Sequence, residues 1–323
     1  MSTLKTGSTL LDDLDNLQIV SHPLVEDFLY HPKITMLAAD PGTGKSLIAL
    51  QLALSLSSAT PLFGVLGVPK PVRVYYLQLE GDYEEFIERM RSMRQVIPLD
   101  AEYLCWDTTP VLNVFDSTHR EQLFKRIHSW GKPDLIIVDP IYRAVSGGLS
   151  KDEPASAFVA FSSQMKAEFD CAQLLIHHTH RPSKDRDGFK VAEDDPFYGS
   201  QWLKAHVDVS YHLEHAHTSG SSSTLTNKKS RGANVLKKLS LTYHPETMTC
   251  EMVFTAQEGD ALTRILAYIA FCKQQGKETD FYEVATAVSI SHAQLMRYCR
   301  NPVILDKVEL IKRRPHKTLW RPR

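Results

Sequence analysis

The chain has 323 residues, of which 43% are apolar and 23% charged, and its formal net charge is −1. This length suits one large domain or a large domain with a small companion, and the charge balance excludes a bulk polycation, leaving any nucleic-acid contact to local patches. The five cysteines form no CxxC pair, which argues against a disulfide framework or a cysteine zinc site and for a reducing compartment.

Residues 1–33 carry few signals and read as a lead-in; the first 16 hold one Lys, three Asp and no apolar signal core. No apolar run approaches the ~18 residues that span a bilayer, so a cytoplasmic protein without a membrane partner is expected. Residues 34–39 (ITMLAA) are apolar, partly β-branched and stop at a Pro-Gly turn, which predicts a strand. Residues 47–56 have the apolar density of a buried helix, and 58–71, rich in Gly and Pro, read as a loop. A strand at 72–79 and a helix at 82–94 follow, with Asp82 and Glu85 at capping-box spacing. A short strand at 103–106, a helix at 117–130, a strand at 134–138, a helix at 155–169 and a strand at 172–176 complete the alternation. Strand–helix alternation predicts a parallel sheet with right-handed crossovers, and continuous apolar strands fit burial on both faces.

The texture changes after residue 205. Strand-like runs at 207–214, 222–228, 235–243 and 248–254 read as antiparallel additions to one sheet edge, with a flexible turn at 218–224. Residues 256–260 read as a linker. Helical stretches at 261–275, 281–288 and 291–300 precede two strand-like runs, 308–311 and 317–320, around a basic turn. Three helices and a β-ribbon match a winged helix. The expected fold class is therefore α/β: a mainly parallel twisted sheet with antiparallel extensions over 34–255, and a small winged-helix domain over 261–323.

Between the first strand and the first helix lies Ala39-Asp40-Pro41-Gly42-Thr43-Gly44-Lys45-Ser46, the pattern GxxxxGK[ST] with Ala39 at the first glycine position. Gly42 and Gly44 let backbone N–H groups turn inward around phosphate oxygens, and the following helix N-terminus favours the same anion. Asp40, Pro41, Gly42, Thr43, Gly44, Lys45, Ser46 and Leu47 are the expected nucleotide-binding residues. Lys45 is expected to reach the β- and γ-phosphates and Ser46 to ligate Mg²⁺, so the expected ligands are ATP and Mg²⁺. The strand LIIVD ends in Asp139, a candidate to hold the metal opposite Ser46; taken alone, such a strand end is also an ordinary sheet terminus. Glu80 ends the second strand (VYYLQLE) and is the candidate carboxylate that orients the attacking water; the other reading is a helix-capping acid.

These motifs, DPGTGKS, YLQLEGD…R, LIIVDP…R and LLIHHTHR, resemble the RecA-like motor fold. Within it they resemble the RepA-type hexameric replicative helicases of plasmids and phages, relatives of DnaB, over roughly residues 20–255. The resemblance implies that Glu80 is catalytic, that Arg89 lies beside the adenine, and that His178 senses the γ-phosphate. It implies that the loop 179–200, with His180, Arg181, Lys184, Arg186 and Lys190, faces a central channel and touches DNA phosphates. Many family members carry Arg-Gly-Ser after that loop, where this chain has Tyr198-Gly199-Ser200. Lys229 and Arg231 match a K-x-R pair that reaches the neighbouring subunit's ATP and stabilises the transferring phosphoryl group; the alternative is a solvated basic turn. A zinc reading of His177, His178 and His180 meets the alternation of side chains along a strand, which sends adjacent residues to opposite faces, and a buried His177 is preferred.

From residue 301 to 323 seven Lys or Arg stand against two acids. Lys312, Arg313 and Arg314 on this basic wing, with Gln294, Arg297 and Arg300 on the preceding helix, are candidate DNA contacts; winged helices also serve protein contacts. The expected protein is a ring-forming, homo-oligomeric ATP-driven DNA helicase, a hexamer acting on single-stranded DNA, with duplex DNA or a replication protein met by the winged helix. Competing readings are a non-unwinding ATP-switched DNA-binding regulator or recombination mediator, and an assembly scaffold.

Overall fold

The computed structural model describes residues 22–108, 111–179, 201–215, 222–233, 235–253, 261–274, 276–288, 290–299, 304–305, 308–312 and 318–322. The strands in chain order are β1 (His22–Val25), β2 (Leu29–His31), β3 (Ile34–Ala39), β4 (Val74–Gln78), β5 (Leu104–Thr108), β6 (Leu135–Asp139) and β7 (Ala172–His178). They continue with β8 (Val209–His215), β9 (Ser222–Ser230), β10 (Lys238–His244) and β11 (Thr249–Val253). Helices α1 (Lys45–Ser57), α2 (Tyr83–Met93), α3 (Ser117–Trp130), α4 (Asp152–Phe169) and the short α5 (Gln201–His206) fill the connections.

Nine strands form one sheet in the order β11-β10-β9-β8-β3-β7-β6-β4-β5. From β8 to β5 every pairing is parallel, and β9, β10 and β11 add an antiparallel wing. The apolar runs are continuous because both faces are covered. In β3, Leu37 and Ala39 face one core, with α1 and α2, while Ile34, Met36 and Ala38 face the other, with α3 and α4. The same alternation holds in β6, where Leu135 and Ile137 oppose Ile136 and Val138. Helix α1 lies under the sheet and is buried nearly all round, as its unbroken apolar sequence requires.

Residues 22–31, within the expected lead-in, form an antiparallel β1–β2 hairpin packed into the main core. Phe28 stacks on Tyr211 with ring centroids 4.6 Å apart, and the Tyr211 hydroxyl donates to the Phe28 carbonyl at 2.8 Å. At α2, Asp82 holds the N-cap position but its side chain makes no capping hydrogen bond. Glu85 pairs with Arg89 instead, so the anticipated capping box is corrected to an i,i+4 ion pair. Helix α5 was not anticipated.

The C-terminal residues form α6 (Ala261–Gln274), β12 (Thr279–Asp280), α7 (Phe281–Ala287), α8 (His292–Tyr298), β13 (Val308–Lys312) and β14 (Thr318–Pro322). The three strands make an antiparallel sheet, β12-β14-β13. Ile265, Ile269, Val284, Leu295, Ile304 and Trp320 belong to a separate apolar cluster. A capping box starts α8: the Ser291 side chain accepts from the Gln294 N–H, and the Gln294 side chain accepts from the Ser291 N–H. Gln294, a candidate groove residue, is thus engaged by its own helix. Among the described residues no helix is long and apolar enough to cross a membrane.

Candidate nucleotide-binding site

Strand β3 runs out at Ala39, still paired with His178 of β7 and Leu213 of β8. Ala39 is extended backbone, and the turn begins only at Asp40, which is why alanine is accommodated at the motif's first position. Gly42 and Gly44 have φ of 77° and 92°, and a Cβ on either would meet nothing within 4 Å. The glycines are there for the left-handed backbone conformation, not for lack of room. Gly44 is the N-cap of α1, no side chain caps the helix, and its first turn carries no acid. The first N–H groups and the positive end of the helix dipole are thus left for an anion.

Lys45 is 4% exposed. Its Nζ donates to the carbonyls of Ala39 at 3.0 Å and Asp40 at 2.8 Å. Burial lowers its pKa to about 8, opposed by the carboxylates of Asp139, Asp40 and Glu80. The Ser46 hydroxyl donates to Asp139 Oδ1 at 3.2 Å, and Tyr76 of β4 donates to Asp139 Oδ2 at 2.5 Å. Burial pushes the Asp139 pKa up against these two hydrogen bonds. A hydroxyl and a carboxylate beside the uncapped helix are hard oxygen donors of the kind that suit magnesium. Ser46 and Asp139 would hold that ion, which when bound neutralises charge on phosphate oxygens.

Glu80 follows β4, and β4 lies beside β6, the strand of Asp139. Its Oε2 accepts from the Tyr142 hydroxyl at 2.5 Å and its Oε1 lies 3.8 Å from the Arg143 guanidinium. His178, at the end of β7, is half-buried. Burial and the nearby Lys45 lower its pKa, against the pull of Glu80, and among the described residues its Nδ1 has no hydrogen-bond partner. The neighbouring His177 is buried on the other side of the strand. One cleft of about 310 Å³ is lined by Gly42, Gly44, Lys45, Ser46, Leu47, Glu80, Gly81, Glu85, Arg89, Asp139, Pro140 and His178. Thr43 and Asp40 shape the loop behind it: the Thr43 hydroxyl donates to the Asp40 carbonyl at 2.7 Å, and Thr179 donates to the Asp40 carboxylate.

Lys229 and Arg231 are not in that cleft. The Arg231 N–H donates to the Asp208 carbonyl, and the Asp208 N–H to the carbonyl of Ile34, at the start of β3. The P-loop follows its other end, roughly 17 Å away along six residues of strand. The Lys229 ammonium donates to the Lys204 carbonyl at 2.6 Å. Arg297 is exposed on α8. His180, Arg181, Lys184, Arg186, Lys190, Tyr198, Arg300, Arg313 and Arg314 lie outside the described residues, as does the side chain of Lys312. Sequence reasoning gave no role to Tyr76, Tyr142, Arg143 or Thr179. The sequence VYYLQ of β4 places two hydroxyls in a buried strand, a signal that does not distinguish Tyr76 from Tyr75.

A glycine loop leading from a buried parallel strand into an uncapped helix, with a lysine, a hydroxyl and a carboxylate converging on it, defines a P-loop ATPase. The sequence profile described as an AAA domain matches residues 2–184, more than half of the chain, and the protein belongs to that family. No curated protein matches the sequence significantly. A DnaB-like replicative helicase, solved in a study of its interactions with primase, superposes with a TM-score of 0.54 at 13% identity, over 76% of this chain and 66% of that one. The chain therefore spans less than two thirds of that helicase. A KaiC-like protein of the hyperthermophilic archaeon Pyrococcus horikoshii OT3 gives 0.50 at 12% identity over 71% of this chain and 93% of that one. At such identities the likeness is one of fold, and the fold is RecA-like.

Proposed function

We propose that the protein is an ATP-dependent, ring-forming DNA helicase or translocase of a plasmid, phage or other mobile element. In this reading subunits hydrolyse Mg·ATP at their interfaces and move on single-stranded DNA. Within each cleft Lys45 and the loop amides bind the phosphates, Ser46 and Asp139 hold magnesium, Arg89 borders the adenine, Glu80 orients water, and His178 reports the γ-phosphate. Lys229 and Arg231 serve the neighbouring copy.

The observation that carries this reading is the separation along β3: the P-loop follows one end and Arg231 is tied to the other. That separation puts Arg231 out of reach of its own chain's cleft, which favours its delivery to the cleft of a second copy. The fold is shared with a DnaB-like replicative helicase, which favours a helicase over the other readings. Residues 34–255 would be the ATPase domain. Residues 261–323 would be a winged helix that meets duplex DNA or a replication protein through Arg297, Arg300 and the basic wing of Lys312, Arg313 and Arg314. The channel loop would contribute Arg181, Lys184, Arg186 and Lys190 to the DNA backbone.

A strand-displacement assay on forked oligonucleotide DNA tests the proposal. The wild-type protein should unwind it only with ATP, and Lys45→Ala should not unwind it at all. DNA-stimulated ATPase without unwinding would instead identify an ATP-switched DNA-binding regulator. ATPase indifferent to DNA would identify an assembly scaffold.

A further inference from the structure

We propose that Tyr142 is a positioning residue for Glu80: its hydroxyl holds one carboxylate oxygen so that the other is presented to the attacking water. This rests on the reading of Glu80 as the water-orienting carboxylate. Glu80 lies at an exposed strand end, where a glutamate side chain would otherwise sample several rotamers. Two groups face its carboxylate: Tyr142 donates to Oε2 at 2.5 Å and Arg143 stands 3.8 Å from Oε1. Gln78 fixes the main chain by donating to the Glu80 carbonyl at 2.8 Å. Of these distances only that to Arg143 exceeds hydrogen-bond range, so the lone pairs of Oε1 remain available to water.

The holder is itself held. Tyr142 belongs to the 3-10 turn Ile141–Ala144 that follows Asp139. Ile141 and Ala144 of this turn are fully buried, and the Ala144 carbonyl accepts from the Val114 N–H at 2.9 Å. The Tyr142 ring lies 5.1 Å from the His178 ring, so Tyr142 stands beside two residues that line the cleft, Glu80 and His178. Burial and the Glu80 carboxylate raise the phenol to about 12, which keeps it a proton donor at neutral pH. One five-residue stretch, Asp139 to Arg143, thereby carries both the candidate metal carboxylate and the clasp on the candidate base.

Tyr142→Phe removes the hydroxyl and leaves the ring against His178. Steady-state ATPase should then show kcat lowered about tenfold, the effect of one hydrogen bond to a charged group, with KM unchanged. Affinity for a fluorescent ATP analogue should also be unchanged. In the Glu80→Gln background, where single-turnover rates are already low, adding Tyr142→Phe should lower the rate no further, because the hydroxyl acts only through the carboxylate. Wild-type kcat in Tyr142→Phe, or an equal fold loss in both backgrounds, would overturn the proposal while a low rate in Glu80→Gln upheld the parent reading. Undiminished turnover in Glu80→Gln would overturn the parent reading, and the proposal with it.

Discussion

His206 sits at the end of α5, half-buried, with its Nε2 2.9 Å from the Ser162 hydroxyl of α4. Ser162 in turn bonds Gln173 of β7 twice, through its hydroxyl at 2.5 Å and its carbonyl at 2.7 Å. Burial, and then Lys166, depress the His206 pKa. A histidine with a folded pKa below its unfolded value of about 6.5 contributes stability above that pH and loses it as pH falls through the folded value. Melting temperature should therefore fall more steeply for the wild type than for His206→Gln between about pH 7 and about pH 5; parallel curves would remove the buried imidazole as a cause. The P-loop residues were legible because they are contiguous and chemically obligatory: two glycines, a lysine and a hydroxyl within five positions. The clasp of Tyr142 on Glu80 was not, because the two stand 62 residues apart and meet only through the adjacency of β4 and β6, which no local pattern encodes.

At the scale of elements, the β1–β2 hairpin closes the face of the core formed with α1 and the wing. Phe28 at its turn is 2% exposed, stacked on Tyr211 and edge-on to Phe63 with centroids 6.2 Å apart. Phe28→Ala should cost about 3–5 kcal/mol of stability, as a cavity in a packed aromatic cluster does, measurable by urea unfolding. A loss below about 1 kcal/mol would mean that the hairpin is a peripheral strap. The hairpin escaped the sequence reading because its strands have four and three residues, too few for any period to show. The central strands were legible for the opposite reason: apolar runs such as LIIV have no alternative to burial on both faces. The wing strand β10 was recognisable too, since Leu239 and Leu241 alternate with polar residues in KLSLTYH and are the ones buried. Helix α5 has six residues, less than two turns, and offered no stripe to detect.

At the scale of the whole molecule, the proposed assignment makes each site a joint product of two copies. Lys45→Ala and Arg231→Ala proteins should each lack ATPase alone. Arg231→Ala should keep nucleotide affinity, because the arginine acts on a neighbour. Mixed in equal amounts, the two should regain activity at about a quarter of their interfaces, those where an intact cleft meets an intact arginine. Silence of the mixture would place Arg231 in its own chain's service or none.

The distance between the two ends of β3 has a geometric consequence for how copies can associate. A two-fold pair can serve both clefts only by laying the Arg231 end of each copy across the cleft of the other, so that both sites fall on one interface. In the proposed ring the succession is head-to-tail instead: each copy gives at one interface and receives at the next, and nothing is left over only when the last copy reaches the first. In such a closed circle a defective member disables two hydrolysis events, its own and the adjacent one, so inhibition by a doubly defective chain should rise more steeply than its share of the population.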